Sequence, residues 1–229
     1  MARVLKEEEH NAKRNEILDY ALNLVYTKGY EQMTIQDILD GLQISRGALY
    51  HYFDSKQAML EALVDRMGRQ AEQILLPIVV DPHLSAVQKL RRYFEASAQW
   101  KSQQKELIVS LLRMWYSEEN AYLRQKMATD SIHHAPSLLG PILRQGIEEG
   151  VFTTRFPEQT AVIVAGINLS LSDTIIELLL TPHPDQATFQ KLDAAIGAFF
   201  ESIERIVGAP AGSLNVFSAD TFKEWFDVI

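Results

Sequence analysis

The residues whose types and spacing could do chemistry are concentrated in one short segment, which reads SRGALYHYF and spans residues 45–53. Wound as a helix at about 100° per residue, this segment turns Leu49 and Phe53 to one side, which we expect to face a core. The opposite side begins with two residues that have almost no side chain and continues with two hydrogen-bonding rings: Gly47, Ala48, Tyr50 and His51. Such a surface lets a helix backbone come close to another molecule.

The charged residues at either end of the segment favour nucleic acid as that molecule. Arg46 would stand at the N-terminal end of the helix, where an arginine can bind the two acceptors of guanine in the major groove. Lys56, one turn into the following helix, is placed to bind a phosphate with the help of that helix's dipole. Glycine in a first helical turn costs about 1 kcal/mol relative to alanine, so Gly47 suggests a requirement for close approach.

Two short helices joined by a tight turn, within about residues 34–53, would position this surface. Thr34 is predicted to cap the first helix, and Asp37 three residues later completes a capping-box pattern. The turn falls near Gln43, and Ser45 caps the second helix. This is the spacing of a helix-turn-helix, although many helical hairpins with the same spacing bind nothing.

At this point the residues resemble the TetR family of bacterial transcriptional regulators. Residues 34–60, TIQDILDGLQISRGALYHYFDSKQAML, match the family's pattern of a Thr-capped helix, a small-residue turn and a run of the form S-x-G-x-L-Y-x-Y-F-x-S-K-x-x-L. The flanks ILDYALNLVYTKGYEQMT (17–34) and EEGVF (148–152) are also similar to the family. The strong resemblance covers about residues 11–66, and the rest of the chain matches in layout only.

The resemblance implies a role for each matching position. Thr34 and Gln36 would meet the DNA backbone or a base at the start of the first short helix. The residues that would enter the major groove are Ser45, Arg46, Gly47 and Ala48. Those that would hold phosphates are Tyr50, Tyr52 and Lys56, while His51 would contact a base or a phosphate. Tyr52 also lies near the core side and Ser45 is also a helix cap, so packing and capping remain alternative roles.

The charge balance is unusual for a protein that binds DNA. The chain has a formal net charge of −8, and its first 56 residues hold seven Lys or Arg against nine Asp or Glu. DNA binding normally rests on a basic surface, so we expect the acidic residues to point away from it. An N-terminal arm would supply further cations: Arg3, Lys6, Lys13 and Arg14. We predict modest non-specific affinity and a shallow salt dependence.

Length, composition and periodicity indicate an all-α protein with two regions. The chain has 229 residues, 47% of them hydrophobic, and no cysteine, which excludes disulfides and thiolate metal sites. Apolar residues recur at helical spacing and strand-like alternation persists nowhere. We expect an N-terminal three-helix, helix-turn-helix DNA-binding domain over residues 1–56 and a helical ligand-binding and dimerisation domain over residues 57–229. A linking helix at about 56–77 should end or kink near Pro77.

The C-terminal region is predicted to contain two long helices, at about 158–180 and 186–207, and a tail helix at about 218–227. Two shorter helices, at about 118–132 and 136–149, should precede them. Stripes that alternate in steps of three and four predict a four-helix bundle in a homodimer, although a monomer core would show the same spacing. The predicted interface residues are Val162, Gly166, Leu169, Asp173, Ile176, Leu192, Ile196, Phe199 and Ile203.

Large, soft side chains in the middle of the chain predict a cage for a small apolar or aromatic effector, with simple packing as the alternative. The predicted lining residues are Phe94, Trp100, Met114, Trp115, Tyr122 and Met127. His133 and His134 are adjacent and cannot face one site on a helix, so we expect no metal and no other cofactor.

Three classes of function remain to be weighed. The resemblance implies a ligand-responsive transcriptional regulator, most often a repressor, that binds a pseudo-palindromic operator as a homodimer and is released by a small molecule. An enzyme is disfavoured because no nucleophile–base pair, metal spacing or phosphate loop is recognisable. The alternative is a helical ligand-binding or interaction protein that has lost DNA binding, because the first region is acidic.

The location of the protein follows from its apolar segments. The N-terminus has no apolar run after its charges and does not read as a secretory signal. The longest apolar stretch, 161–180, is broken by polar residues and predicts a buried helix rather than a membrane span. We therefore expect a cytoplasmic protein with no membrane partner.

Overall fold

The computed structural model describes residues 2–115 and 118–227, and within them the side chains of residues 2–7, 113–115 and 119 lie outside the description. Over this part of the chain the fold is all helical, as predicted. The helices are α1 (Ala2–Lys28), α2 (Ile35–Leu42), α3 (Arg46–Tyr50), α4 (Lys56–Val80), α5 (Ala86–Gln103), α6 (Lys105–Trp115), α7 (Ala121–Glu148), α8 (Pro157–Leu179), α9 (Gln186–Val207) and α10 (Lys223–Phe226). Single 3₁₀ turns, Glu118–Asn120 and Ala219–Phe222, precede α7 and α10.

Contacts divide the chain into two compact units. Unit 1 comprises Met1–Gln70 with Glu106–Asn120, and unit 2 comprises Ala71–Lys105 with Ala121–Ile229. Helix α4 begins in unit 1 and ends in unit 2. The functional boundary at residue 56 stays a prediction.

The core of unit 1 holds the short helices in place. Helix α1 begins at Ala2, and it ends where Gly29 adopts a left-handed conformation, with φ of 83°. It packs on α2, and its Asp19 pairs with Arg66 of α4. The residues without exposed surface are Ile17, Leu18, Ala21, Ile38, Leu49, Met59 and Leu60. Because Leu49 is among them, α3 is fixed by the core that α1 and α4 provide.

Helices α4 and α7 both continue through prolines at which the sequence suggested a break. Helix α4 continues past Pro77 to Val80, and Gln73, whose carbonyl loses its partner, is exposed to water. The two helices predicted at 118–132 and 136–149 are one helix, α7, with Pro136 and Pro141 inside it. That prediction was wrong because packing outweighs two lost hydrogen bonds. The second half of α7 buries Leu138, Leu139, Ile142 and Leu143.

Unit 2 is built around α7, which packs on α5 and α8, while α8 packs on α9. A capping box starts α5, where the Ser85 hydroxyl accepts from the backbone N–H of Gln88. Asp185 caps α9 in the same way, and Gly208 ends it with φ of 76°. A side chain at Gly208 would also collide with Thr153, because an added Cβ would lie 1.9 Å from its Oγ1 atom.

Helix α8 is mostly open within the protomer. By length and composition alone it could cross a membrane, a test that core helices of soluble proteins also pass, and only 22% of its apolar 18-residue window is buried. The prediction of a buried helix is therefore wrong for the single chain. One side of α8 packs on α7 and α9, whereas Val162 and Ile163 on the other side are exposed.

The C-terminal tail packs on its own protomer. The buried carboxylate of Glu204 accepts from the backbone N–H groups of Gly212 and Leu214, at 2.8 and 2.7 Å. Trp225 is buried, and the Phe226 ring lies 4.9 Å from that of Phe189 on α9. Ile229 lies outside the described residues.

Candidate nucleic-acid interface

Helix α3 has the two faces that its sequence predicts. The Ser45 hydroxyl accepts from the backbone N–H of Ala48 at 3.1 Å and so caps the helix. Leu49 and Phe53 are buried. The opposite face is exposed, at Arg46, Gly47, Ala48, Tyr50 and His51. A Cβ added to Gly47 would meet only the Ser45 hydroxyl, at 4.0 Å, so the fold itself leaves room for a side chain there.

Helix α2 is held by a network of polar side chains. The Thr34 hydroxyl accepts from the backbone N–H of Asp37 at 3.1 Å, and the Asp37 carboxylate accepts from the backbone N–H of Thr34 at 2.8 Å. Lys28 pairs with Asp37 at 2.6 Å. The Lys28 hydrogen bond, followed by that from Thr34, lowers the pKa of Asp37 to about 2. Thr34 and Asp37 therefore position α2, and Asp37 is already neutralised from within the protein.

Other hydrogen bonds of the helix-turn-helix also join residues that are close in sequence. The Gln36 amide donates to the Asp40 carboxylate at 2.7 Å, and both side chains lie on the exposed surface of α2. Gln43 makes the turn with φ of 51°, a left-handed conformation that is uncommon for a residue with a side chain. The backbone N–H of Ile44 then donates to the carbonyl of Leu39 at 3.1 Å and closes the turn.

An aromatic cluster at the end of α3 includes a residue that the sequence did not point to. The His10 ring lies 4.7 Å from the ring of Tyr52 and 5.5 Å from that of His51, which is itself 5.2 Å from Tyr52. His10 lies on α1, just before the stretch of about residues 11–66 that carries the resemblance. No local signal connects it to α3, so only the fold could reveal the contact. Tyr52 is half-buried and packs against these rings.

The cationic side chains near the interface differ in whether they already have partners within the protein. The Lys56 ammonium donates to the carbonyl of Glu31 at 3.2 Å and lies 4.2 Å above the ring of Tyr30. Burial lowers the pKa of Lys56, and the Glu31 carboxylate partly opposes that change. By contrast, Arg46 is exposed and makes no hydrogen bond or ion pair with any residue that the structure describes.

The predicted N-terminal arm is part of helix α1. Lys13 pairs with Glu16 at 2.8 Å, and the Arg14 guanidinium lies 4.9 Å above the ring of Phe53. The side chains of Arg3 and Lys6 lie outside the described residues. The predicted arm is therefore helical, and two of its cations, Lys13 and Arg14, are engaged within unit 1.

The predicted effector cage is only partly supported by burial. Phe94 is buried and meets the rings of Phe199 and Phe200 edge-on, at 5.4 and 5.8 Å, as a core residue would. Trp100 and Met127 are half-buried. Tyr122 is 73% exposed and does not line an interior, because its side of α7 faces solvent. The side chains of Met114 and Trp115 lie outside the described residues.

The predicted dimer stripe lies partly on the open side of α8, where it stays a prediction, and inside the protomer on α9, where the prediction was wrong. On α9 the predicted residues are buried inside the protomer, at Leu192, Ile196, Phe199 and Ile203. Periodicity shows that a helix has an apolar face without showing which neighbour covers it. The exposed face of α9 is the opposite one, with Gln190, Ala194, Gly197, Ala198 and Glu201. On α8, Val162 and Asp173 are exposed, and Gly166, Leu169 and Ile176 are half-buried.

Known proteins resemble this chain in both sequence and fold. Residues 17–63 match the model of the family described as bacterial regulatory proteins, tetR family. The transcriptional repressor KstR2 of Mycobacterium tuberculosis is 31% identical over 156 residues, which cover 62% of this chain and 70% of that protein. KstR2 of Rhodococcus jostii is 26% identical over 152 residues, covering 62% and 69%.

Solved structures share the helical architecture. A TetR-family regulator from Pectobacterium atrosepticum aligns with a TM-score of 0.60 over 89% of this chain and 98% of its own, at 17% identity. At that identity the likeness establishes the fold alone. The capped helix-turn-helix, the family match that spans it and the KstR2 relatives lead to one conclusion: the chain belongs to the TetR family of bacterial regulatory proteins and is a DNA-binding transcriptional regulator.

Proposed function

We propose that this regulator is a repressor that binds a pseudo-palindromic operator as a homodimer and leaves the DNA when a small apolar or aromatic molecule binds in unit 2. The observation that carries DNA reading is the surface of α3, where Arg46 is exposed beside Gly47 and Ala48 without a partner among the described residues. The name of the KstR2 relatives supports repression. The relatives are regulators, so we propose no catalytic activity and no cofactor.

Each exposed residue of α3 takes part in a different contact. Arg46 binds guanine in the major groove, and the small side chains of Gly47 and Ala48 let the helix backbone approach the bases. Tyr50 and His51 reach phosphates or base edges, with Tyr52 held beside them by its ring contacts. Thr34, Gln36 and Ser45 lie at the two helix N-termini that face the backbone. Lys56 binds a phosphate from its position next to Tyr30.

The dimer forms through the outward faces of α8 and α9. Family members bind operator DNA and form dimers, and a second copy covers the exposed apolar residues Val162 and Ile163. Gly166 on α8 and Gly197 on α9 have open space where a Cβ would stand, which permits close approach of two helices. Because a protein partner covers α8, no lipid is needed, and the protein acts in the cytoplasm.

Helix α4 couples effector binding to DNA binding. In unit 1 Arg66 on α4 pairs with Asp19 on α1 at 2.6 Å, and in unit 2 the buried ammonium of Lys89 donates to the Val79 carbonyl at 2.8 Å. The helix between these anchors is exposed from Gly68 to Gln70 and from Glu72 to Ile74. An effector that binds more tightly to one tilt of α4 raises the population of the protein with that tilt. In that state the two α3 helices of the dimer no longer fit successive major grooves of the operator.

A gel-shift experiment on the DNA upstream of the protein's own gene tests the proposal. The ligand-free protein should retard this fragment at concentrations that leave an unrelated fragment of equal length free. Retardation of neither fragment would favour the second candidate, a helical ligand-binding or interaction protein that has lost DNA binding. Equal retardation of both fragments would mean that the protein binds DNA without reading this sequence, which contradicts the proposed operator. The observations that favour this candidate are the acidic balance of residues 1–56 and the engagement of Lys13 and Lys56 within unit 1.

A further inference from the structure

The aromatic cluster at the end of α3 extends the exposed face of that helix onto α1. His51 follows Gly47 by four residues and therefore lies on the same side of α3, where both residues are exposed. The His10 ring of α1 lies 5.5 Å from the His51 ring and 4.7 Å from the Tyr52 ring. A surface that faces DNA through α3 therefore continues across these rings to the first half of α1.

Arg14 adds a permanent positive charge to the same surface. It follows His10 by four residues on α1, and its guanidinium lies 4.9 Å above the ring of Phe53, which directly follows Tyr52. A guanidinium that rests on a ring keeps the N–H donors of its planar fork. Helix α1 and the end of α3 thus contribute two imidazoles, a phenol and a guanidinium. We refer to these four residues as the donor patch: His10, Arg14, His51 and Tyr52.

The side chains of the donor patch have hydrogen-bond donors left for another molecule. None of the four makes a side-chain hydrogen bond or an ion pair with a residue whose side chain the structure describes. Lys13, on the same helix, differs because it pairs with Glu16 at 2.8 Å. The side chains of Lys6 and Glu7, one turn before His10, lie outside the description. The patch therefore gathers donors that no described carboxylate neutralises.

We infer that the donor patch binds a phosphate of the operator backbone beside the groove that α3 enters, and that His10 is a DNA-binding residue. The oxygens of a phosphodiester accept hydrogen bonds from imidazolium, guanidinium and phenol groups. Contacts of this kind fix the register and orientation of a protein on the duplex. The inference rests on the proposed function of α3 and adds a contact from α1, outside the helix-turn-helix. It also gives a region with an acidic balance a place to hold a polyanion, because its unpaired donors lie together.

Binding through two imidazoles makes the affinity for DNA depend on pH. Histidine changes charge between about pH 5 and pH 8, and a phosphate favours the charged form. The titratable side chains that border His10 are the other three of the donor patch and, next in the chain on α1 and after α3, those of Glu9 and Asp54, which make no ion pair with a described residue. Affinity should therefore rise as pH falls from about 8 to about 6. The salt dependence should steepen by about 0.9 in logarithmic slope for each imidazolium that contacts a phosphate.

Fluorescence anisotropy of the full-length protein tests this at about pH 8 and about pH 6, with the duplex from upstream of its gene and an unrelated duplex. At the lower pH, His10→Gln should weaken binding to both duplexes by about tenfold, the value of a charge-assisted hydrogen bond, and should make the salt dependence shallower. At the higher pH it should have little effect. Arg14→Gln should weaken binding equally at both pH values, because a guanidinium stays charged. His83→Gln removes an exposed histidine of unit 2 and is the matched control, which should bind as wild type does.

Thermal unfolding of the DNA-free proteins at both pH values separates DNA contact from packing. His10→Gln should melt as wild type does, and a melting temperature that falls together with the affinity would assign the loss to folding and overturn the inference. So would a wild-type affinity that does not rise on acidification, a rise that His10→Gln retains, or an equal loss at both pH values. If wild-type protein bound the two duplexes equally and His10→Gln still removed the rise, the operator proposal would fail and the donor patch would stand. Binding of neither duplex would overturn both.

Discussion

The two units differ in the kind of side chain that they leave exposed. Unit 1 exposes polar groups on α3, whereas unit 2 exposes apolar groups on α8. In unit 1 the polar side chains of α2 are paired with one another, and the exposed Arg46 lies on the outer surface of α3. In unit 2 the apolar side chains of Val162 and Ile163 on α8 face outward and are exposed. Unit 1 is therefore complete as a folded surface for DNA. Unit 2 therefore leaves an apolar surface open within the single protomer.

The largest effect should come from blocking the outward face of unit 2. Gly197 has open space around it, so Gly197→Arg should fold normally and keep two α9 helices apart. The protein should become monomeric in analytical ultracentrifugation, and operator affinity should fall by about 100-fold or more because two linked half-site contacts become one. Gly197→Ala is the control and should remain dimeric. A dimeric Gly197→Arg protein would exclude this face as the interface.

A substitution on the opposite face of the same helix sharpens the comparison. Leu192 is fully buried in the protomer, so Leu192→Ala should lower the free energy of unfolding by about 2–5 kcal/mol. Urea unfolding at fixed protein concentration measures this loss, and the folded variant should still be a dimer. If Leu192→Ala instead produced a stable monomer, the interface expected from periodicity alone would be right and the placement of α9 wrong.

A third prediction separates stability from binding within unit 1. Because a Cβ at Gly47 meets nothing closer than 4.0 Å, Gly47→Ala should leave stability unchanged or raise it by up to about 1 kcal/mol. Operator affinity should nevertheless fall, since the added methyl group stands between α3 and the groove. Thermal unfolding and DNA titration on the same sample check the two parts. Undiminished operator affinity would mean that α3 does not approach the bases at this residue.

The smallest predicted effect concerns acid. The pKa of Asp37, lowered to about 2, lies below its unfolded value, so its contribution to stability is present above the unfolded pKa. That contribution is lost as pH falls from about 4 toward 2. Asp37→Asn should lower stability at neutral pH and reduce the loss on acidification over this window, as measured by circular dichroism melts. If the stability of the two proteins depended on pH in the same way, Asp37 would not stabilise α2.

The parts of the fold that the sequence predicted are those fixed by local interactions. The capping box of Thr34, the cap at Ser45 and the buried Leu49 depend on neighbours within a few residues, and all three are as expected. The parts it missed depend on distant packing. Periodicity on α9 could not tell the face that packs inside the protomer from the outward one. Nor could Pro136 show that packing on other helices would keep α7 continuous.

The same distinction applies to the candidate sites. The side chains of α3 were identified because their types and spacing are informative on their own. His10 reaches Tyr52 only because α1 extends back beyond residue 10. A sequence records which groups are present, whereas the fold decides which of them remain unpaired.

The central claim, that α3 reads operator DNA, is tested most directly by fluorescence anisotropy on a labelled duplex from upstream of the gene. Wild-type protein should bind it in multiples of two protomers, and Arg46→Ala should lose about 1–3 kcal/mol of binding free energy together with its preference for that duplex over unrelated DNA. Lys56→Ala should weaken binding to both duplexes alike. Equal binding of both duplexes by wild-type and Arg46→Ala proteins would contradict the account.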